Sequence, residues 1–249
     1  MHNAGNNTWS VTFFRTGAPI FPDVARATTA KLLDGVLPQD RVRPLMHYTE
    51  TTAAPGFSPV KFIGAKNGFG VLAYGPAAQA TLDELANAIA ICWSAKLGAP
   101  VIQDSSSGTF EAKPLPYFVD LTIPRIVIQK KPRHQAAIQA DMARHLSRLI
   151  LNSITSQCAF AGIALPLQLQ VQPIHWESGS PARLGHGGAA LAALRNLQFR
   201  ANVKLDGWWS LGYITAKGYG NLNCTAAAAR APRKQETVGA DGKLTHPAD

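Results

Sequence analysis

The sequence predicts an α+β protein made of two tandem ferredoxin-like units, the second carrying a long basic helical insertion. Three observations lead there. Strand-like and helix-like runs follow one another as β-α-β-β-α-β over the first half, the order of the split βαβ unit, and a degraded form of that order returns in the second. A phrase is also written nearly twice: AKNGFGVL at 65–72 and AKGYGNLN at 216–223 each place a lysine before glycine–aromatic–glycine, as a duplicated unit would. The first copy falls mid-unit and the second near the end of its unit. Finally, 249 residues suffice for two units of about 120. The expected division is a first unit over 1–121, a second over 122–225, and a small, polar, aperiodic and mobile tail over 226–249.

The elements follow in order. TWSVTFFRTG (8–17) is a β-type run. Asp23, after Pro22, opens a helix whose apolar stripe reads Val24, Ala27, Leu32 and Val36. HYTETT (47–52) is a further strand candidate. VKFIGAKNGFGVLAYG (60–75) is two β runs joined by Lys66-Asn67-Gly68, where Asn-Gly offers the positive φ of a tight hairpin. TLDELANAIAICWSAKLG (81–98) is an amphipathic helix with Leu82, Leu85, Ile89 and Trp93 on one stripe and Gly98 as terminator. A strand follows around 117–130.

In the second half, the spacing predicts one helix from about 133 to 160, roughly 40 Å long at 1.5 Å per residue. Ile138, Met142, Leu146, Leu149, Ile150 and Ile154 form its apolar stripe, and Arg133, Arg144 and Arg148 share another face. LQLQVQPIHW (167–176), a short Ala/Leu helix near 188–196, the alternating strand LQFRANVKL (197–205) and a hairpin-like WWSLGYITAKGYGNLN complete the outline. The adjacent Trp208 and Trp209 point to opposite sides of a strand.

Composition bounds the function. Apolar residues make up 46% of the chain, enough for a core, and no run of 18 uncharged apolar residues predicts a membrane span. The N-terminus lacks the pattern of a signal peptide. Cys92, Cys158 and Cys224 are odd in number and widely spaced, so they read as thiols of a reducing cytoplasm rather than disulfides or a zinc site. The net charge is +9. Residues 1–121 hold nine Lys/Arg against nine Asp/Glu, whereas 122–249 hold fifteen against six. A one-sided positive field suits a polyanion such as nucleic acid. Between Arg125 and Arg148 only Asp141 is acidic, against Arg125, Lys130, Lys131, Arg133, Arg144 and Arg148; a merely solvated face mixes signs, so this one is expected to contact phosphates.

The C-terminal phrase carries a resemblance. Ser210-Leu211-Gly212, five residues, then Gly218-Tyr219-Gly220 resembles the pattern Gly-apolar-Gly, five residues, Gly-apolar-Gly of the CRISPR-RNA-processing endoribonucleases of the RAMP superfamily, with serine in place of the first glycine. The resemblance spans 8–224, and the basic helix at 133–160 looks like the helical finger of the type IV branch. It implies RAMP/RRM-like units, a CRISPR repeat RNA hairpin as substrate, and other subunits of an effector complex as partners. On physical grounds, glycines let backbone N–H groups approach a phosphate. Lys217 adds charge there and Tyr219 is placed to stack on a base.

The acids of the second half (Asp141, Glu177, Asp206, Glu236, Asp241 and Asp249) lack metal-ligand spacing, so two-metal cleavage is not expected, and no cofactor is. The remaining route is attack of the RNA 2′-OH on its own phosphate, which needs a base, an acid and cations on the phosphorane. The resemblance implies a base from a histidine after the first helix, where His47 stands. Arg26, Arg41 and Arg43 lie on or just after that helix; Arg26 and Arg41 are the candidates to neutralise the transition state. Whether His47 is the base or cleavage rests on the arginines stays open at this stage. His134, His145, His175 and His186 match no family position. The alternative reading is a non-catalytic RAMP subunit that binds guide RNA in an effector complex.

Overall fold

The computed structural model describes residues 6–46, 57–129, 135–165, 168–183 and 190–224. The expectations for His47, HYTETT, Lys130, Lys131, Arg133, His134, His186 and the tail lie outside them. Strand β1 (Thr8–Arg15) leads into α1 (Pro22–Leu33) and α2 (Gln39–Met46); then come β2 (Val60–Ala65), β3 (Gly68–Tyr74), α3 (Gly75–Leu97) and β4 (Ile102–Thr109). These four strands form an antiparallel sheet in the order β2-β3-β1-β4. Strands β1, β2 and β3 carry buried residues on both faces, whereas the edge strand β4 is mostly exposed. Phe14, Phe62, Phe69 and Val71 pack on α1 and α3, while Trp9, Val11, Ile63, Leu72 and Tyr74 face the second half. That alternation is the period of two of a pleated strand.

Strand β5 (Glu111–Val127) runs across the expected boundary at 121, because the chain leaves the first sheet at Phe110. It pairs along its length with β9 (Ala193–Ser210), apart from a break between Pro114 and Val119. The other edge of β9 takes β6 (Val171–Ser178) and, near its end, β10 (Asn221–Cys224). On the free edge of β5, Tyr213 bridges Val127 and the Gly220 N–H donates to the Arg125 carbonyl at 2.7 Å. Between β5 and β6 lie α4 (Gln135–Ala140) and α5 (Met142–Ala161); two-residue strands β7 (Ala182–Arg183) and β8 (Ala190–Leu191) precede β9. The result is a mixed α/β protein with antiparallel sheets.

Several expectations need correcting. The outward face of α1 carries Val24, and Val36 beyond the helix is exposed too; the buried stripe is Ala25, Thr29 and Leu33. Thr29 belongs inside because its hydroxyl accepts from the Trp93 indole N–H at 2.9 Å. The long helix is broken at Asp141, whose carboxylate caps α5 by accepting from the Arg144 N–H at 3.2 Å. Helix α5 packs into the core, where Leu146, Leu149, Ile150 and Ile154 are buried with Ile126, Leu197 and Phe199. Where a short Ala/Leu helix is expected near 188–196, the described residues from Ala190 on are not helical: β8 is followed by β9, which pairs there with β5 (Arg195 opposite Arg125), and tertiary pairing overrides local propensity. The β2–β3 hairpin forms, but neither Lys66 nor Asn67 has a positive φ. Gly68 is needed for another reason: a Cβ there would collide with the Phe14 carbonyl of β1.

Candidate functional site

Two glycines of the C-terminal phrase turn out to be packing devices. A 3-10 turn (Thr215–Lys217) places Gly218 at φ 86° against the start of α1, where a Cβ would overlap Pro22 and lie 2.9 Å from the Phe62 carbonyl. Gly220 has φ 72° and touches the Leu211 backbone so closely that no Cβ fits. Their N–H groups are taken: Gly218 donates to the Thr215 carbonyl at 3.0 Å and Gly220 to that of Arg125. The phosphate cradle expected from Gly218 and Gly220 is therefore not formed by these donors. Tyr219, expected to stack on a base, is 8% exposed in this structure; it lies among Val127, Ala182, Leu191 and Ala193, with the Arg125 guanidinium 4.7 Å from its ring centroid. Lys217 is partly exposed.

Ser210, where the motif has glycine, has a visible role. Its hydroxyl lies 3.3 Å from the Tyr74 hydroxyl and 3.4 Å from Asn221 Oδ1. Its N–H donates to buried Gln157 at 3.0 Å, and both Gln157 and Tyr74 donate to the Trp208 carbonyl. A buried polar network thus stitches β3 of the first sheet to α5 and β9. Burial raises the pKa of the Tyr74 hydroxyl, so it stays a neutral donor. Trp209 is fully buried and Trp208 partly exposed, in the expected alternation.

Lys61 was not singled out in the sequence. It sits on β2 facing the second half, fully buried, its Nζ 4.3 Å from the Phe57 ring centroid and 5.0 Å from that of Tyr74, with no hydrogen-bond partner among the described residues. Burial drives its pKa well below the ordinary 10.5. A lysine between Val60 and Phe62 reads as the solvent side of a half-buried strand; only the covering of both sheet faces shows otherwise.

The candidate catalytic residues diverge. Arg26, half-buried on α1, donates to the carbonyl of Met46, the last residue of α2 and the one before His47 in the chain. Desolvation lowers its pKa from the ordinary arginine value. Pro22, at the start of the same helix, is the residue that meets Gly218. Arg41, exposed on α2, instead pairs with Glu84 of α3 at 3.0 Å. Arg144 and Arg148 stand exposed one turn apart on α5, with no ion pair among the described residues. Among those residues no three His, Cys, Asp or Glu gather where a metal ion could be held, and no helix is long and apolar enough to cross a membrane. Burial pushes the Cys158 and Cys224 thiols up to about 12, which keeps them protonated and unreactive.

Known proteins share this architecture. A structure described as Csf5, the CRISPR-Cas type IV Cas6 crRNA endonuclease, superimposes with a TM-score of 0.60 at 17% identity, covering 87% of this chain and 99% of that one. A crystal structure of Cas6b gives 0.62 at 10% identity over 88% and 100%. A second, described as the CRISPR RNA processing endoribonuclease Cas6b, gives 0.56 at 10% identity over 86% and 98%. At these identities the likeness is one of fold. No curated protein matches the sequence. The family model for the type IV CRISPR-associated endonuclease Csf5 matches residues 12–226, and the chain belongs to that family.

Proposed function

We propose that this chain cuts CRISPR repeat RNA at its hairpin by metal-independent attack of the 2′-OH and then keeps the product bound. The observation that carries the reading is the tie between Arg26 and the Met46 carbonyl. It brings a half-buried guanidinium to the residue preceding His47, on a helix whose first turn abuts the glycine phrase. In the reaction, His47 takes the 2′-OH proton as the 2′-oxygen bonds to phosphorus. The bond to the 5′-oxygen breaks and that oxygen takes up a proton. The products are a 2′,3′-cyclic phosphate and a 5′-OH. Arg26 stabilises the charge gathering on the phosphorane, and Arg41 joins it on leaving Glu84. Arg144, Arg148 and Lys217, with Lys130, Lys131 and Arg133 in the sequence ahead of α5, hold RNA phosphates and retain the hairpin.

The second reading, a guide-RNA-binding subunit without chemistry, is favoured by one fact: both arginines already have partners within the protein. Incubation of the repeat RNA with excess EDTA decides. The expected outcome is cleavage with a cyclic phosphate on the upstream fragment. A strict Mg²⁺ requirement, with the RNA fold controlled, overturns the mechanism; stable binding without cutting establishes the subunit reading.

A further inference from the structure

Between α1 and α2 lies an open groove of about 560 Å³, within the size range of small-molecule and nucleotide sites. Leu37, Val42 and Met46 supply an apolar floor, and Lys31, Asp34, Asp40 and Arg43 stand on the rim. Two opposite-charge pairs around one groove ordinarily neutralise each other. Here none of the four forms an ion pair among the described residues; the Asp34 carboxylate accepts a long contact from the neighbouring Gln39 amide at 3.5 Å. The groove shares Met46 with the proposed catalytic corner, since the carbonyl of that residue holds Arg26.

We infer that this groove binds one unpaired nucleotide next to the scissile phosphate and selects guanine there. The inference rests on the cleavage reading for where the nucleotide comes from. Its chemistry comes from the rim. Two carboxylates repel a run of phosphates, so the groove is not a backbone track. They accept only from a base that offers donors, and guanine presents two adjacent ones, N1–H and the N2 amino group, to a single carboxylate. Lys31 and Arg43 take the phosphate of the same nucleotide, and the apolar floor lies under the ring. Unstacked bases of single-stranded RNA are read in this way on their Watson–Crick edges.

The test measures binding, so that it does not depend on cutting. Repeat-hairpin RNAs carrying a 2′-deoxy substitution at the scissile nucleotide would have each flanking unpaired guanine replaced by adenine or inosine. At one position the natural chain should lose roughly 10- to 100-fold in affinity, the discrimination that a good two-bond base contact provides. Asp40→Asn or Asp34→Asn should collapse that preference at that position alone. Arg43→Ala should weaken binding of every base there without changing the preference. The inference is overturned if the natural chain is indifferent to base at every flanking position, or if both carboxylate variants keep the full preference. Unmodified repeat RNA run in parallel keeps the two readings apart: base discrimination on the deoxy RNA with no cutting of the unmodified RNA would overturn the cleavage reading and leave the guanine-selective groove standing, and failure to bind the hairpin overturns both.

Discussion

Replacing Gly218 with alanine separates two accounts of the glycine phrase. At φ 86° an L-residue is strained, by about 1–2 kcal/mol. The new Cβ would overlap Pro22 and lie 2.9 Å from the Phe62 carbonyl, so helix α1 and strand β2 must both give way. Overpacking of this kind costs about 1–3 kcal/mol. Together these make roughly 2–5 kcal/mol, and a chain of this size loses about 2–4 °C of Tm per kcal/mol, a drop on the order of 5–20 °C. Gly98→Ala is the control: its φ is 63° but nothing lies within 4 Å, so it carries the strain alone and should cost about 1–2 kcal/mol. Thermal unfolding of both variants, with hairpin affinity measured well below either Tm, reads the difference. An unchanged Tm in Gly218→Ala together with lost RNA affinity would refute the packing account and restore the phosphate cradle.

Three further outcomes are expected. Lys61→Met should raise stability at neutral pH by about 1–4 kcal/mol, as apolar replacement of buried charge often does. The folded pKa of Lys61 is depressed, so the unfolded chain holds more protons and native stability rises with pH up to the unfolded value near 10.5; the gain in the variant should shrink over that window, and a pH-independent gain would contradict it. Arg144→Ala with Arg148→Ala should lower the slope of log K against log salt for hairpin binding by about 1–2 units, whereas an unchanged slope means that the face is only solvated. Arg26→Ala should slow single-turnover cleavage on the order of 100-fold with little change in affinity. Glu84→Gln, which releases Arg41, should leave Tm nearly unchanged, because the pair is exposed, and should speed cleavage if Arg41 serves the phosphorane; equal rates in both variants and the natural chain would place the chemistry elsewhere.

The parts of the fold legible in the sequence were those where one face alone sets the pattern. Leu82, Leu85, Ile89 and Trp93 on α3 and Leu146, Leu149, Ile150 and Ile154 on α5 are stripes of single-sided helices, and they are buried as read. On α1 the residues compete: Val24 is more apolar than Thr29, yet Thr29 is inside because Trp93 supplies its partner. The break at Asp141 was written in the sequence as a good capping residue within a helical period, but the period was the louder signal. The span of β9 back to Ala193 depends on a partner strand some 70 residues away (Ile126 opposite Leu194), which no local window contains. At the site, the identity of Arg26 was legible only through the family, and its bond to Met46 only in three dimensions. The glycines were legible as special but not for what: a Cβ-free approach to Pro22 and one to a phosphate look alike in one dimension.

The glycine phrase and the arginine corner are therefore parts of one arrangement. Gly218 permits the second half to seat on Pro22, the first residue of α1, and Arg26 follows one turn later on that helix. The direction of Arg26 toward Met46 thus depends on how closely a loop some 190 residues further along the chain can pack. Ser210 strengthens the same seam from its other side through Tyr74 and Gln157. A glycine there would leave the buried Tyr74 hydroxyl its bond to the Trp208 carbonyl but remove the one to Ser210, a loss of about 0.5–1.5 kcal/mol for the missing hydrogen bond. Serine is thus the better residue at this seam, and the departure from the motif is compensated by tyrosine on the facing strand. On the proposed division, with chemistry in the neutral first half and affinity in the basic second, this seam is what must hold α1 in place. A change at the glycines should accordingly move rate and stability together, whereas a change at Arg144 or Arg148, on the far exposed face of α5, should move affinity alone.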